Sequence, residues 1–330
     1  MEEPYEPSVT LEEVPVEKGW SHKRIDTKDK KIAFGKFRTG RLKEILIQKF
    51  FLINGLLAIF ILLSIFSLLF VKGFPAIKEL GWKSFFGSSV WIPNSYSTPQ
   101  YGILSLITST LMVTVGALVI AVPLGVACAA FISQVASPRI REILKPAVEI
   151  LAGIPSVVVG FLGIILVNPL IARLFGISNG LNALNGSILL AIMSLPTIIS
   201  LSEDALRAVP KTYKEASLAL GANDWQTLVR VLVPSALSGI IASIMLGMGR
   251  AIGETMTVLM ATGNAPALTF NFLDAIQTMT STIAIELGEV PYNTTHYYSL
   301  FVIGLVLFIM TFVVNLVSDI ILQKYQQVER

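Results

Sequence analysis

The sequence predicts an all-α integral membrane protein with six transmembrane helices. Hydrophobic residues make up 53% of the 330 residues, and the mean hydropathy is +0.70. Only 14% of the residues are charged, whereas soluble domains carry about 25%. Several uncharged runs reach the length of about 20 residues that a helix needs to cross a bilayer. Together these observations exclude a soluble globular fold.

The chain begins with a polar tail, residues 1–48, which we expect to be cytoplasmic and mostly disordered. Its acidic residues come early and its basic residues late, whereas a cleavable signal peptide has a short basic stretch followed at once by an apolar run. The first membrane helix is predicted over residues 49–72, which are centred on an uncharged apolar run. Residues 73–100 are predicted to form an external loop, because Trp82 and Trp91 are typical of a membrane interface.

The core is predicted over residues 101–325 and holds the five remaining membrane helices. Their predicted ranges are Tyr101–Pro138, Ile150–Ala172, Gly186–Ser202, Ser235–Ala261 and Tyr298–Leu322. Six spans place both termini on the same side of the membrane. That side would hold 20 of the Lys and Arg residues, against 4 on the other side. Because short loops rich in Lys and Arg stay in the cytoplasm, both termini are predicted to be cytoplasmic.

The sequence offers no motif for catalysis. No GxxxxGK[ST] phosphate-binding loop occurs, so ATP would have to bind to another subunit. The single cysteine, Cys128, is predicted to be a buried packing residue, and His296 a residue of the external membrane interface. The net charge of +3 reflects basic residues clustered at one end, which does not indicate nucleic-acid binding. We expect no catalytic residue, cofactor or metal site in this chain.

The loop between the fourth and fifth spans, residues 203–234, has the pattern of two short helices on the cytoplasmic face. Tyr213–Leu220 is amphipathic, and Gly221 follows where a helix end favours a left-handed residue. Asn223 can cap a second helix over Trp225–Val233. On these grounds alone, the loop is either a docking surface for another protein or an ordinary amphipathic connector.

Two charged residues fall inside the predicted fifth span. Arg250 and Glu254 are four residues apart, which would place them on one helix face, roughly 22 Å from the inner end of the span at Pro234. Charges within a membrane are costly and usually mark a substrate or ion path. The two residues could form a structural ion pair. Alternatively, Arg250 could present its planar fork of donors to an oxyanion, while Glu254 holds Arg250 in place and limits how tightly the anion binds.

The cytoplasmic loop resembles that of the permeases of ABC importers. Those permeases carry the pattern E-A-A, three residues, G, nine residues and I-x-L-P. The corresponding residues here are Glu215-Ala216-Ser217, Gly221 and Val231-Leu232-Val233-Pro234. In that family the loop forms coupling helices that insert into a groove of the ATPase. The resemblance implies an ATPase-coupling role for the loop that contains Glu215, Ala216, Gly221 and Pro234.

The segment GRAIGETM, residues 249–256, resembles the permease of the phosphate-specific ABC importer, in particular its C-type subunit. The resemblance extends over about residues 50–325 and includes the run Glu203-Asp204-Ala205-Leu206. In that family the Arg and the Glu of this segment are implicated in phosphate translocation. The resemblance therefore implies a place in the substrate pathway for Arg250 and Glu254.

The resemblance also implies a type I ABC importer permease fold in a prokaryotic cytoplasmic membrane. The implied partners are a paralogous permease subunit, a cytoplasmic ATPase dimer and an external phosphate-binding protein, which would dock on external loops 72–100 and 263–297. Three other functions stay open. They are a permease of the same class for another oxyanion (molybdate, sulfate or phosphonate), a stand-alone secondary transporter, and a membrane scaffold or phosphate-sensing component.

Overall fold

A computed structural model describes residues 27–95 and 97–326 of the chain. By their internal contacts, the residues divide into two units, Met1–Leu63 and Ser64–Arg330. The predicted disorder of the tail over residues 1–26 lies outside the described residues.

The described part of the chain is helical except for one small sheet and the connecting segments. The helices are α1 (Thr27–Leu80), α2 (Trp82–Phe86), α3 (Leu104–Ala130), α4 (Pro138–Ala152), α5 (Ser156–Leu162), α6 (Asn168–Phe175), α7 (Ala183–Ala208), α8 (Lys211–Ala219), α9 (Asp224–Thr227), α10 (Val233–Ser235), α11 (Leu237–Gly253), α12 (Met256–Ala261), α13 (Met279–Glu286) and α14 (Thr295–Gln326). Short π-helical stretches follow α3, α5 and α9, over Phe131–Val135, Gly163–Val167 and Leu228–Leu232.

Five described helical segments are long and apolar enough to span a membrane, and a bent pair of helices makes a sixth. The five are Glu44–Leu80, Leu104–Val135, Ser156–Phe175, Ala183–Ala208 and Thr295–Gln323. The bent pair is Asp224–Ser235 with Leu237–Gly253, whose axes differ by 70°. The predicted six-span, helical membrane architecture is therefore confirmed, with a broken fifth span.

The first helix is longer than its predicted membrane segment. It begins at Thr27, inside the predicted tail, and ends at Leu80, inside the predicted external loop. The reason is local, because no proline occurs between Thr27 and Phe74 to interrupt the backbone hydrogen bonds. The helix continues past Pro75 for one more turn.

The third span begins later than the sequence suggested. The predicted range Ile150–Ala172 is divided by Pro155, and the observed span is Ser156–Phe175. Proline disfavours a helical conformation of the residue before it, so the chain turns here, and Ile150 belongs to α4 instead. Helix α4, which lies between the second and third spans, is a separate helix that the prediction did not contain.

The fourth span, α7, begins where Asn182 accepts a hydrogen bond from the backbone N–H of Asn185 and ends at Ala208. The predicted cytoplasmic loop therefore starts six residues later than expected, because Glu203–Ala208 continues the helix. Residues Glu203–Ala208 include no glycine or proline, and α7 ends at the predicted break, Val209–Pro210.

The core is centred on α7, which packs against α3 and α11. Glycines make these contacts close. A Cβ added at Gly125 of α3 would lie 2.7 Å from Ile198, and one at Gly247 of α11 would lie 2.9 Å from the same side chain. Cys128 is exposed on α3, so its predicted burial is wrong. Apolar side chains of a membrane helix can face lipid as well as protein, and hydropathy does not distinguish the two.

The predicted external loop contains a two-stranded antiparallel sheet, β1 (Trp91–Ile92) and β2 (Gln100–Tyr101). Trp91 is buried, and its indole Nε1 donates to Glu286 Oε1 at 2.9 Å. Glu286 Oε2 lies 2.6 Å from His296 Nε2, which is also buried. Trp91 and His296 are thus internal contacts of the fold, with Glu286 between them.

Candidate functional site

The two charges of the fifth span lie on either side of a break in the helix. Helix α11 ends at Gly253, and Glu254 has an extended backbone with φ −70° and ψ 132°. Helix α12 then starts at Met256. The prediction that Arg250 and Glu254 share one helix face is therefore wrong. Glycine weakens a helix by about 1 kcal/mol relative to alanine, and Gly253 is the last residue before the break.

The carboxylate of Glu254 accepts a hydrogen bond from the first turn of α12. Its Oε1 accepts from the backbone N–H of Thr257 and lies close to the Thr257 hydroxyl, each at 3.3 Å. A negative group at a helix N-terminus is stabilised by the backbone N–H groups that have no partner within the helix. The backbone carbonyl of Glu254 accepts from the Thr280 hydroxyl at 2.9 Å. Glu254 is therefore held by α12 and α13.

Arg250 occupies the last turn of α11 and is exposed in the isolated subunit. Its Nη1 donates to Thr197 Oγ1 of α7 at 3.4 Å. Among the described side chains, the ion pairs involve neither Arg250 nor Glu254. The geometry thus disagrees with a structural ion pair and leaves guanidinium donors available to another group.

The glycines around the charges differ in what surrounds them. Gly247 touches α7, where Ser194 also donates to its carbonyl at 3.5 Å. Around Gly253, by contrast, a Cβ would have no neighbour within 4 Å. A close helix contact is therefore found at Gly247, while open space lies next to Gly253, the neighbour of Glu254.

Thr257 is fully buried beside Glu254 and contacts both α5 and α7. Its hydroxyl lies 3.1 Å from the backbone carbonyl of Ser156 at the start of α5 and 3.0 Å from Met193 Sδ of α7. One hydroxyl proton can be donated to only one acceptor at a time. The sequence did not indicate Thr197, Thr257 or Thr280, because hydroxyl residues are common in membrane helices and carry no periodic pattern.

The loop between the fourth and fifth spans folds as two short helices, close to the prediction. Gly221 has φ +85° after α8, as expected for a glycine at a helix end. Asn223 and Gln226 form a capping box at the start of α9. A buried hydrogen bond of 2.9 Å between the Ser217 and Thr227 hydroxyls joins the two helices. Pro234 lies in the first turn of α10, which bends into α11.

The outer side of this loop is exposed and partly apolar. Glu215, Ala216 and Gly221 are exposed. Leu220 and Trp225 are 89% and 71% exposed, although large apolar side chains are normally removed from water. An open cavity of about 600 Å³ lies along the loop, lined by residues including Ala216, Gly221 and Leu220.

Comparison with known proteins identifies the class of this membrane protein. Residues 121–327 match the family described as binding-protein-dependent transport system inner membrane component. The chain belongs to this family. The predicted class, an ABC importer permease, is confirmed by this match, and the protein is a multi-pass membrane permease.

Individual relatives of this chain are also described as transporter permeases. It is 40% identical over 228 residues to the probable ABC transporter permease protein YqgH of Bacillus subtilis, a match that covers 69% of this chain and 74% of the relative. It is 33% identical over 275 residues to the phosphate transport system permease protein PstC of Mesorhizobium japonicum, covering 78% and 83%. A solved structure of the inward-facing MetNI methionine ABC transporter matches with a TM-score of 0.51 at 21% identity, covering 68% of this chain and 94% of that chain. The permease thus has the type I importer fold.

Proposed function

We propose that this permease translocates inorganic phosphate across the cytoplasmic membrane as one half of an ATP-driven importer. The observation that carries the proposal is the 33% identity to the phosphate permease of Mesorhizobium japonicum over 78% of this chain. Similar identities, 32–34%, relate the chain to phosphate permeases of Haemophilus influenzae and Mycobacterium tuberculosis.

Arg250 is the residue that would meet the anion. A guanidinium is always charged and can donate two parallel hydrogen bonds to a phosphate. Arg250 is exposed, and its recorded partner is the neutral Thr197 hydroxyl. An arginine within a membrane protein must face a partner or a watery cavity. An anion path between this subunit and a second permease provides both.

Glu254 would limit how tightly phosphate is held. Its carboxylate is tied to Thr257 and not to Arg250, and open space adjoins Gly253. A fixed negative charge four residues from Arg250 repels an anion that approaches the guanidinium. Repulsion of this kind would weaken binding and favour release, as transport requires.

ATP hydrolysis would be supplied by a separate cytoplasmic ATPase dimer that binds the loop around Glu215, Ala216 and Gly221. The exposed Leu220 and Trp225 offer apolar anchors for such a partner. A paralogous permease would complete the pathway, and an external phosphate-binding protein would deliver the substrate. With the loop at the ATPase side, both termini would be cytoplasmic.

The test is uptake by the permease reconstituted with its partner subunits in proteoliposomes. We expect ATP-dependent uptake of radiolabelled phosphate that excess unlabelled phosphate abolishes and that equal concentrations of molybdate, sulfate or phosphonate leave nearly unchanged. Stronger competition by one of those anions would assign the permease to it instead. Uptake that persists without ATP would indicate a secondary transporter.

A further inference from the structure

One buried carboxylate in the permease has no part in the site described above. Glu203, near the cytoplasmic end of α7, has a side chain that is 1% exposed. Its Oε2 lies 2.8 Å from Lys145 Nζ of α4, and its Oε1 lies 3.2 Å from Arg207 Nη1, one turn further along α7. Lys145 also reaches Asp204 Oδ1 at 3.0 Å. The hydrogen bond to Glu203, followed by that to Asp204, raises the pKa of Lys145.

This ion pair joins α4 to the helix that leads into the cytoplasmic loop. Helix α7 ends at Ala208, and only Val209 and Pro210 separate it from α8. A displacement of α8 by a docked ATPase would therefore act directly on the end of α7. Lys145 would pass that displacement on to α4.

Helix α4 lies at the surface of the described subunit, against α7 and the π-helical end of the second span. Over its fully described length, Pro138–Ala152, none of its 15 residues is buried. Arg141 donates from Nε to the Ile132 carbonyl at 2.8 Å and from Nη2 to the Ser133 carbonyl, in the π-helical end of the second span. Its apolar residues Ile143 and Ile150 are 69% and 72% exposed. Arg141 and Lys145 thus tie α4 by polar contacts to the second and fourth spans.

The far end of α4 leads to the charged site. A short link, Gly153–Pro155, connects α4 to α5, and Ile154 within the link packs against the cluster that contains Met193. The first residue of α5 is Ser156, whose carbonyl lies 3.1 Å from the Thr257 hydroxyl. Thr257 in turn contacts the Glu254 carboxylate. A continuous path thus runs from the loop through α4 to Glu254.

We infer that α4 is a second mechanical link between the cytoplasmic loop and Glu254, with Lys145 and Glu203 as the positioning residues that form its joint. The first link is the fifth span itself, which bends by 70° between α10 and α11 and breaks again after Gly253. A span with two interruptions transmits displacement less rigidly than a continuous helix. A second route through α4 would add to the transmission of displacement from the loop to Glu254. This inference rests on the proposed transport function.

The first test measures phosphate taken up per ATP hydrolysed in the reconstituted complex. For Lys145→Gln and for Glu203→Gln we expect this ratio to fall two- to thirtyfold, roughly the range for residues that couple distant sites. The double variant should be no worse than the more affected single variant, because both residues belong to one joint. Lys145→Arg, which keeps the charge, should retain most of the ratio.

Arg139→Gln is the matched control. Arg139 is an exposed cation of the same helix, and its replacement should leave the ratio unchanged. A purely structural ion pair predicts lower thermal stability in Lys145→Gln with an unchanged ratio, and that result would overturn the inference. If the wild-type complex takes up no phosphate, the proposed function fails; if it does and the variants stay coupled, only the α4 link fails.

A second measurement leaves Lys145 and Glu203 unchanged, so it does not depend on the assembly of their variants. Cys128 is the only cysteine of the chain, so Ile143→Cys in a Cys128→Ser background allows a fluorescent probe to be attached to the exposed side of α4. We expect ATP to change the probe signal in the complex at the same rate as transport begins. An unchanged signal in a complex that transports phosphate would contradict a moving α4.

Discussion

Arg250 and Glu254 are four residues apart in sequence but belong to different structural units. Arg250 is in the last turn of α11 and donates to Thr197 of α7 at 3.4 Å, whereas Glu254 is extended and accepts from the backbone of Thr257 at 3.3 Å. The two charges are thus positioned by separate partners. Each can be altered without removing the support of the other.

Thr197 is expected to orient the guanidinium of Arg250. Replacement by Val keeps the shape and removes the hydroxyl. The hydrogen bond is long, at 3.4 Å, and exposed, so we assign it the contribution of an ordinary hydrogen bond, about 0.5–1.5 kcal/mol. We therefore predict that Thr197→Val lowers phosphate uptake by roughly two- to tenfold. Thr311→Val is the control, because that hydroxyl bonds to carbonyls of its own helix. Equal uptake by both variants would remove Thr197 from the path.

Glu254 has a structural and an electrostatic role that one pair of variants can separate. Glu254→Gln keeps an oxygen that can accept from Thr257, whereas Glu254→Ala removes it. We predict that the Ala variant loses about 0.5–2 kcal/mol of stability, the usual cost of a lost N-terminal cap, and that the Gln variant loses less. Thermal unfolding in detergent measures the difference. Equal loss in both variants would show that the charge, not the cap, stabilises α12.

Gly221 is predicted to be needed for its backbone conformation and not for space. It has φ +85°, and a Cβ there would meet nothing within 4 Å. A β-branched residue is strongly disfavoured in this conformation, while Asn tolerates it. We expect Gly221→Val to weaken copurification with the ATPase and Gly221→Asn to preserve it. Gly288→Ala is the control, since Gly288 is unhindered and has no positive φ; binding by the Val variant equal to this control would refute the conformational argument.

Glu215 is exposed on α8, away from the buried contact between Ser217 and Thr227. Glu215→Arg should therefore leave the loop folded while it disturbs a complementary ATPase surface. We predict loss of ATP-dependent uptake with little change in melting temperature. Glu44→Arg, at another exposed glutamate, should transport normally. A scaffold or sensor protein would be indicated if Glu215→Arg transported normally too.

The contact between α7 and α11 sets how large residue 247 can be. A Cβ at Gly247 would lie 2.9 Å from Ile198 Cγ1, so Gly247→Ala should overpack the contact and cost about 1–3 kcal/mol. Ile198→Ala removes Cγ1, so it should cost less in the Gly247→Ala chain than it does alone. Thermal unfolding of the single and double variants checks the prediction. Additive losses would show that the two residues are not in direct conflict.

Hydropathy and turn residues predicted the spans and the two short helices between the fourth and fifth spans well. The uncharged runs correspond to observed helices, and Gly221, Asn223 and Pro234 have the conformations that their residue types favour. These features depend on local sequence alone. The family resemblance was carried by the same loop and by the segment around Arg250, and the family is confirmed.

The features that the sequence did not reveal depend on tertiary contacts. Counting four residues from Arg250 to Glu254 assumes an unbroken helix, but the carboxylate is drawn to Thr257. The prediction divided α4 between a loop and the third span, because an apolar run begins at Ile150 and continues past Pro155. Its ion pair joins Lys145 and Glu203, which are 58 residues apart.

The measurement that tests the central claim most directly is the initial rate of ATP-dependent phosphate uptake by the assembled complex with Arg250→Ala, beside Arg173→Ala. Both residues are exposed arginines in membrane-spanning segments. The account predicts that the uptake rate of Arg250→Ala is at least about tenfold lower than that of the wild type, the reduction expected when a charged hydrogen bond is lost. The uptake rate of Arg173→Ala should equal that of the wild type. A wild-type uptake rate in an assembled Arg250→Ala complex would contradict the proposed phosphate path.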